Sequence, residues 1–398
     1  MSNLVEFIVV YWVIFIINSL NLNDKMLFAS MNTEFNLILF VIFIIIGSIA
    51  SAYPIISKGI ERKFILSATG IKVVYGFAYI NLATLILISL RVVFYKLGTE
   101  HNLTRLEIYS PFEVNRILSG IYVLILFVKS LSAVFVHFVL LKSLLNRDTK
   151  WLFITLSLVV FDAILFSAKG PFVALIFIAC IWLLIDKNEP FPFLKRHKKI
   201  VIALCLLFFI PIYIRGDNLF NVVSSYFSIG PVLLSNLVDD NSYAGSMKGW
   251  DFSSILLLFS GLEYLYTILI RCLFDINYQS EGYIWMKITD IPVVVSMSSI
   301  KFIPYNTFYT ILAEPYLALG SFGVSALGFL MGYIISLFER RYLISKCDFS
   351  LFILSYICVI LLSGVFNNPI GSVTLWLVII LFLIFQNRLF DTKTIAFH

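Results

Sequence analysis

The sequence predicts an all-α, polytopic membrane protein, and three observations carry that prediction. Apolar runs of about 20 residues, the length a helix needs to cross a bilayer, recur along the chain. Only 13% of the 398 residues are charged and 60% are hydrophobic, against about 25% charged and about 45–50% apolar in soluble domains. The basic residues gather in alternate short connections, the bias that sets the orientation of membrane helices. Lipid leaves helices and closed barrels as the only spanning structures. The period-two alternation of barrel strands is absent, so the runs read as helices. This composition excludes a soluble globule, and nucleic acid is not among the expected partners.

Taken in order, residues 1–20 are apolar without a charged n-region or a small-residue cleavage site, so they read as a retained first helix rather than a signal peptide. Ten spans are expected in all, near 4–20, 35–56, 73–94, 117–141, 151–168, 170–186, 200–214, 313–338, 349–366 and 371–387. The apolar stretch 251–275 carries Glu263 and Arg271. As a lone crossing it would break the charge parity, so it reads as a re-entrant or interfacial helix. A second short crossing near 288–304 would raise the count to as many as twelve. Residues 221–238 are amphipathic and are expected to lie on the bilayer surface. No internal repeat or low-complexity linker appears, so 1–398 reads as a single integral membrane domain.

Seventeen of the 29 Lys and Arg residues fall in connections that share one side of this arrangement. They are Lys58, Arg62, Lys63, Lys72, Lys142, Arg147, Lys150, Lys187, Lys195, Arg196, Lys198, Lys199, Arg340, Arg341, Lys346, Arg388 and Lys393. The positive-inside rule then puts both termini in the cytoplasm and leaves residues 215–306 as one large exterior loop. Long loops are uncommon unless they carry function, so the chemistry is sought there. The five cysteines and four histidines are scattered, giving neither a disulfide framework nor a metal-ligand spacing.

The remaining cations include Arg91, Lys96, Arg105, Arg116, Lys129, Lys169, Arg215, Lys248, Arg271, Lys287 and Lys301. Snorkelling to lipid headgroups accounts for any one of them. As a group at outer helix ends they suggest an anion site, for which the planar guanidinium of arginine suits phosphate oxygens. Lys169 precedes Gly170 and Pro171, which open a helix whose free amides attract phosphate; the alternative is a solvated lysine in a tight turn. Lys129 lies within a span, where Asp162 on the next span is its expected partner. Among carboxylates, Glu314 precedes Pro315 at the start of a span. It reads either as an outward-facing cap on the positive end of that helix or as a general base toward a sugar hydroxyl. Asp239 and Asp240 read as solvated loop residues or as a second candidate base.

Residues 306–341 (NTFYTILAEPYLALGSFGVSALGFLMGYIISLFERR) resemble the late segment of bacterial O-antigen polymerases, the Wzy-type oligosaccharide repeat-unit polymerases. An aromatic-rich stretch runs there into Tyr-x-x-x-Gly-x-x-Gly and further glycines, matched by Tyr316, Gly320, Gly323, Gly328 and Gly332. Lys169, Gly170 and Pro171 resemble the family's basic-Gly-Pro turn, and Arg215, Tyr226 and Gly230 the start of its outer loop. Arg271 and Gly282 have ten residues between them, within the family's Arg-to-Gly spacing, whereas Arg215 and Gly230 have fourteen and depart from it by one.

The resemblance implies a GT-C-like fold and a metal-independent glycosyltransferase, with no cofactor, in the bacterial inner membrane. Its role in lipopolysaccharide biosynthesis is to join undecaprenyl-pyrophosphate-linked oligosaccharide units. Arg215, Arg271 and Lys169 would bind the pyrophosphate, and Arg116, Tyr316 and Tyr226 the substrate. Glu314, or after it Asp239, would activate the acceptor hydroxyl. Membrane lipid, a chain-length regulator and a flippase are the expected partners. An O-antigen ligase remains open, although residues 215–306 hold no histidine. So does a flippase or transporter, although only Lys129 and Asp162 sit clearly mid-span.

Overall fold

The computed structural model describes residues 2–21, 30–51, 61–99, 116–166, 170–186, 234–235, 257–274, 280, 293–298, 301–305, 310–364 and 373–395. The described elements are, in order, α1 (Asn3–Asn21), α2 (Met31–Ala50), β1 (Glu61–Leu66), α3 (Ala68–Thr99), α4 (Arg116–Asn146), α5 (Thr149–Leu165) and α6 (Gly170–Ile185). A 3-10 turn (Leu257–Phe259) then leads into α7 (Ser260–Phe274), followed by β2 (Val293–Ser298), β3 (Lys301–Tyr305), α8 (Ala313–Ser345), α9 (Asp348–Ser363), α10 (Val373–Leu389) and β4 (Phe390–Ile395). Nine of the ten expected spans coincide with helices, and the span at 200–214 lies outside the described residues. Met31–Ala50, Ala68–Lys96, Gly120–Asn146 and Ala313–Ser345 are long and apolar enough to cross a membrane. The molecule is therefore a helical membrane protein.

Two regions have crossings that the sequence left open. Residues 293–298 and 301–305 form an antiparallel strand pair, Val293 opposite Tyr305, where the sequence left open a short second crossing near 288–304. β-Branched Val293–Val295 favour the strand, and a two-stranded sheet has open edges that lipid cannot satisfy. Within 251–275 the described residues are the short turn and the 15-residue α7, about 22 Å of helix, which is less than the ~30 Å hydrocarbon core.

The chain divides into two compact units. The first comprises Met1–Lys58, Leu219–Arg341 and Ile360–Ile379. In it α1 packs on α2 through Trp12, whose ring meets Phe40 edge-on at 4.9 Å. The first turn of α1 lies against the far end of α8, where the Leu4 N–H donates to Glu339 Oε2 at 3.2 Å. Arg340 donates to the carbonyl of Ser51, the C-cap of α2, at 3.0 Å. The start of α1 and the ends of α2 and α8 thus share one face, as an alternating topology requires. At the other end of α2, the N-cap residue Ser30 donates through its backbone N–H to Ser235 Oγ at 2.8 Å. That contact seats one described fragment of the 221–238 stretch.

The second unit comprises Gly59–Asn218, Tyr342–Val359 and Ile380–His398. Its core is Ala78, Leu85, Ile88, Tyr122, Val136, Leu158, Val159 and Phe166, drawn from α3, α4 and the α5 end. Strands β1 and β4 pair antiparallel, Leu66 opposite Phe390 and Glu61 opposite Ile395. Asp348 gathers three elements: it accepts from Lys142 of α4 at 2.7 Å and from the backbone of Leu66 at 3.0 Å, while opening α9. Arg147 pairs with Asp186 at 2.6 Å. The pairing expected inside the spans is present: Lys129 and Asp162 lie 2.7 Å apart and are almost wholly buried, with the ammonium 4.5 Å from the Phe166 ring centre.

Candidate functional site at the start of helix α8

The site is built in the first unit from the ends of four helices. Residues Ile311 and Leu312 lead into α8, and the Ile311 N–H donates to the carbonyl of Gly364 at 2.7 Å, just past the end of α9. A Cβ on Gly364 would come within 2.8 Å of the Ile311 side chain, so only glycine lets the two segments meet. Helix α8 is not one straight rod. Gly320 adopts φ 59° and ψ −147°, which breaks the run into a short N-terminal helix and a long one. A Cβ on Gly323 would lie 2.1 Å from the Pro315 carbonyl oxygen, although residues eight apart in a straight helix are about 12 Å apart along the axis. The short helix is therefore folded back against the long one, with Gly320 as the corner that an L-residue with a side chain would fill only under strain.

Glu314 and Tyr316 ride on that short helix. The sequence reading placed Glu314 as an outward-facing cap at the mouth of a span. In the structure it has no solvent exposure, and it lies on the short helix ahead of the Gly320 break. A carboxylate buried among Leu312, Ala313 and Leu317 needs polar contacts. One comes from Ser260 Oγ, which donates to Glu314 Oε1 at 3.3 Å from the start of α7. Tyr316 is half-buried, with its backbone N–H bonded to the Leu312 carbonyl at 2.9 Å.

The residue before Ser260 extends the cluster. Phe259 meets the ring of Trp376, from the first turn of α10, at 4.5 Å between centroids and 36° between planes. The indole Nε1 of Trp376 is buried and has no hydrogen-bond acceptor among the described residues. Consecutive residues at one end of α7 thus touch the carboxylate and the indole. The arrangement offers a carboxylate acceptor, a hydroxyl, an indole N–H donor and two aromatic faces, a set suited to a polyhydroxylated ligand.

Arg271 is half-buried near the other end of α7. It lies eleven positions beyond Ser260, about 16 Å along the helix axis. α7 is held locally by the Thr267–Ser280 hydroxyl pair at 2.8 Å. Arg116 opens α4 in the second unit; its side chain lies outside the described residues. So do Asp239, Arg215, Lys169 and Tyr226. Arg91, grouped with the outer cations by sequence, stacks its guanidinium 4.0 Å over Tyr122. Sequence reasoning missed Ser260 and Trp376. A serine in an apolar stretch carries no signal of its own, and a tryptophan at a helix start reads as part of an interfacial belt. No family model, curated protein or solved structure matches the chain.

Proposed function

We propose that the protein is a membrane-embedded glycosyltransferase that polymerises undecaprenyl-pyrophosphate-linked oligosaccharide units into O-antigen at the outer face of the bacterial inner membrane. The observation that carries the reading is the Glu314 carboxylate. It sits in contact with a hydroxyl at the head of the same Tyr316–Gly332 segment that bears the family resemblance. In this reading the acceptor sugar hydroxyl takes the place of Ser260 Oγ on Oε1.

The step is a substitution at the anomeric carbon of the growing glycan. The acceptor O–H gives its proton to Glu314, the acceptor oxygen forms the new C–O bond, and the C–O bond to pyrophosphate breaks. The leaving lipid pyrophosphate carries the negative charge away. Fixed cations are needed where that charge develops, and Arg271, Arg215 and Lys169 are the proposed holders. Arg116, Tyr316 and Tyr226 bind the substrate, and Asp239 is the second candidate base.

The test is a gel of surface polysaccharide from cells lacking the gene, then complemented with wild type or with Glu314→Gln. Loss of the long ladder with a single capped unit retained marks failed polymerisation, and the Gln variant is expected to reproduce it. Removing a general base lowers rates by about 10²- to 10⁴-fold. Loss of even the single unit on deletion would overturn the polymerase reading in favour of the ligase or flippase.

A further inference from the structure

Trp376 presents a problem that packing does not solve. Its indole N–H is buried and finds no acceptor among the described residues, although buried donors in folded proteins are nearly always bonded. The ring is fixed by Phe259, and the next residue, Ser260, holds the Glu314 carboxylate. At the start of α7, consecutive residues therefore meet a donor-bearing indole on α10 and a carboxylate on α8, with an aromatic face and a hydroxyl of their own. A sugar ring presents the matching series: an acceptor oxygen, an apolar C–H face and a neighbouring hydroxyl that donates.

We propose that Trp376 is a substrate-binding residue, its indole N–H donating to a ring or hydroxyl oxygen of the acceptor saccharide while Phe259 lines the face of the sugar and Glu314 accepts from the adjacent hydroxyl. This rests on the function proposed above for the same site. Its role is to hold the acceptor, not to move a proton. The interaction is made in the ground state and the transition state alike, so its loss raises KM and leaves kcat unchanged.

The experiment uses the full-length protein in nanodiscs, with the tryptophan indole nitrogens labelled with ¹⁵N. The Trp376 signal is assigned by its absence from Trp376→Phe, which keeps a ring and removes the donor. The probe is the free oligosaccharide repeat unit released by mild acid from the cell's own lipid-linked pool. On titration the Trp376 indole signal is expected to shift. In the polymerisation assay Trp376→Phe is expected to raise the KM for the acceptor about tenfold, the loss of one hydrogen bond to ligand, with kcat within about twofold. Trp376→His, which retains a ring N–H, is expected to recover part of that loss and guards against a Phe variant that fails to fold. An indole signal that stays fixed through the titration, or a Phe variant with wild-type KM, overturns the proposal. Should wild-type protein make no polymer, the polymerase reading fails separately, and the titration still decides whether Trp376 binds a saccharide.

Discussion

Glu339 and Arg340 are neighbours of opposite charge, and each meets the helix end that its charge suits. Glu339 is buried and accepts from the Leu4 N–H at 3.2 Å. It satisfies a free amide at the positive start of α1. Arg340 donates to Ser51 at the negative end of α2. Glu339→Gln keeps the shape but loses the charge, and it is expected to cost about 1 kcal/mol. Glu339→Ala leaves a buried donor without an acceptor and is expected to cost about 1–3 kcal/mol. Thermal unfolding in detergent, followed by tryptophan emission, should rank wild type above Gln and Gln above Ala. From the sequence, Arg340 was legible only as one more cytoplasmic cation, and Glu339 gave no signal. Its partner is a backbone more than 300 residues away, and no local pattern encodes such a contact. Lys129 was the opposite case. A lysine mid-span has few partners of opposite charge, so Asp162 could be named in advance and is found at 2.7 Å.

The glycines of α8 show how an element can be legible as a motif before its physical reason is known. Gly320, Gly323, Gly328 and Gly332 were read together as a family pattern, yet they do different things. Gly320 turns the chain and Gly323 lets the short helix fold back. Gly328 and Gly332 sit four apart, on one face, and meet α2 running parallel. A Cβ on Gly328 would lie 2.6 Å from the Phe40 carbonyl oxygen, and one on Gly332 2.0 Å from that of Ile44. A Cβ on Gly47 would make the reciprocal contact, 2.0 Å from the Phe329 carbonyl oxygen. Small residues that bring backbones this close are a recurrent means of packing membrane helices, where the hydrophobic effect gives no net drive. Gly332→Ala must push the helices apart and is expected to cost about 1–3 kcal/mol. Gly76 in α3 has nothing within 4 Å of its Cβ position. Gly76→Ala should therefore leave stability unchanged or raise it by up to about 1 kcal/mol. Folded yield and unfolding midpoint of the two variants check the contrast. The break at Gly320 was not legible, because glycine tolerates helical and left-handed backbone alike and the flanking residues Leu319 and Ser321 suit a helix.

For the whole molecule, the order of the helices was more legible in the sequence than the site, because span length is an average over many residues while a site depends on a few contacts. Helix ends meet as the alternating order predicts. In the first unit Leu4 meets Glu339, and Ser51 meets Arg340. In the second, Lys142 meets Asp348, Arg147 meets Asp186, and Ser67 donates to the Arg388 carbonyl. Which of the two faces is cytoplasmic follows from charge alone, and that is open to direct measurement. With the five native cysteines replaced by serine, single cysteines can be placed at the exposed positions Lys72, Lys150 and Met31. Positive-inside orientation predicts that a membrane-impermeant maleimide added to intact spheroplasts labels Met31→Cys. It should leave Lys72→Cys and Lys150→Cys unlabelled until the cells are broken. The reverse result would carry residues 215–306, and with them the start of α8, to the cytoplasmic side. Glu314 would then face away from units assembled at the outer leaflet, and the polymerase reading would fall whatever its buried carboxylate can do.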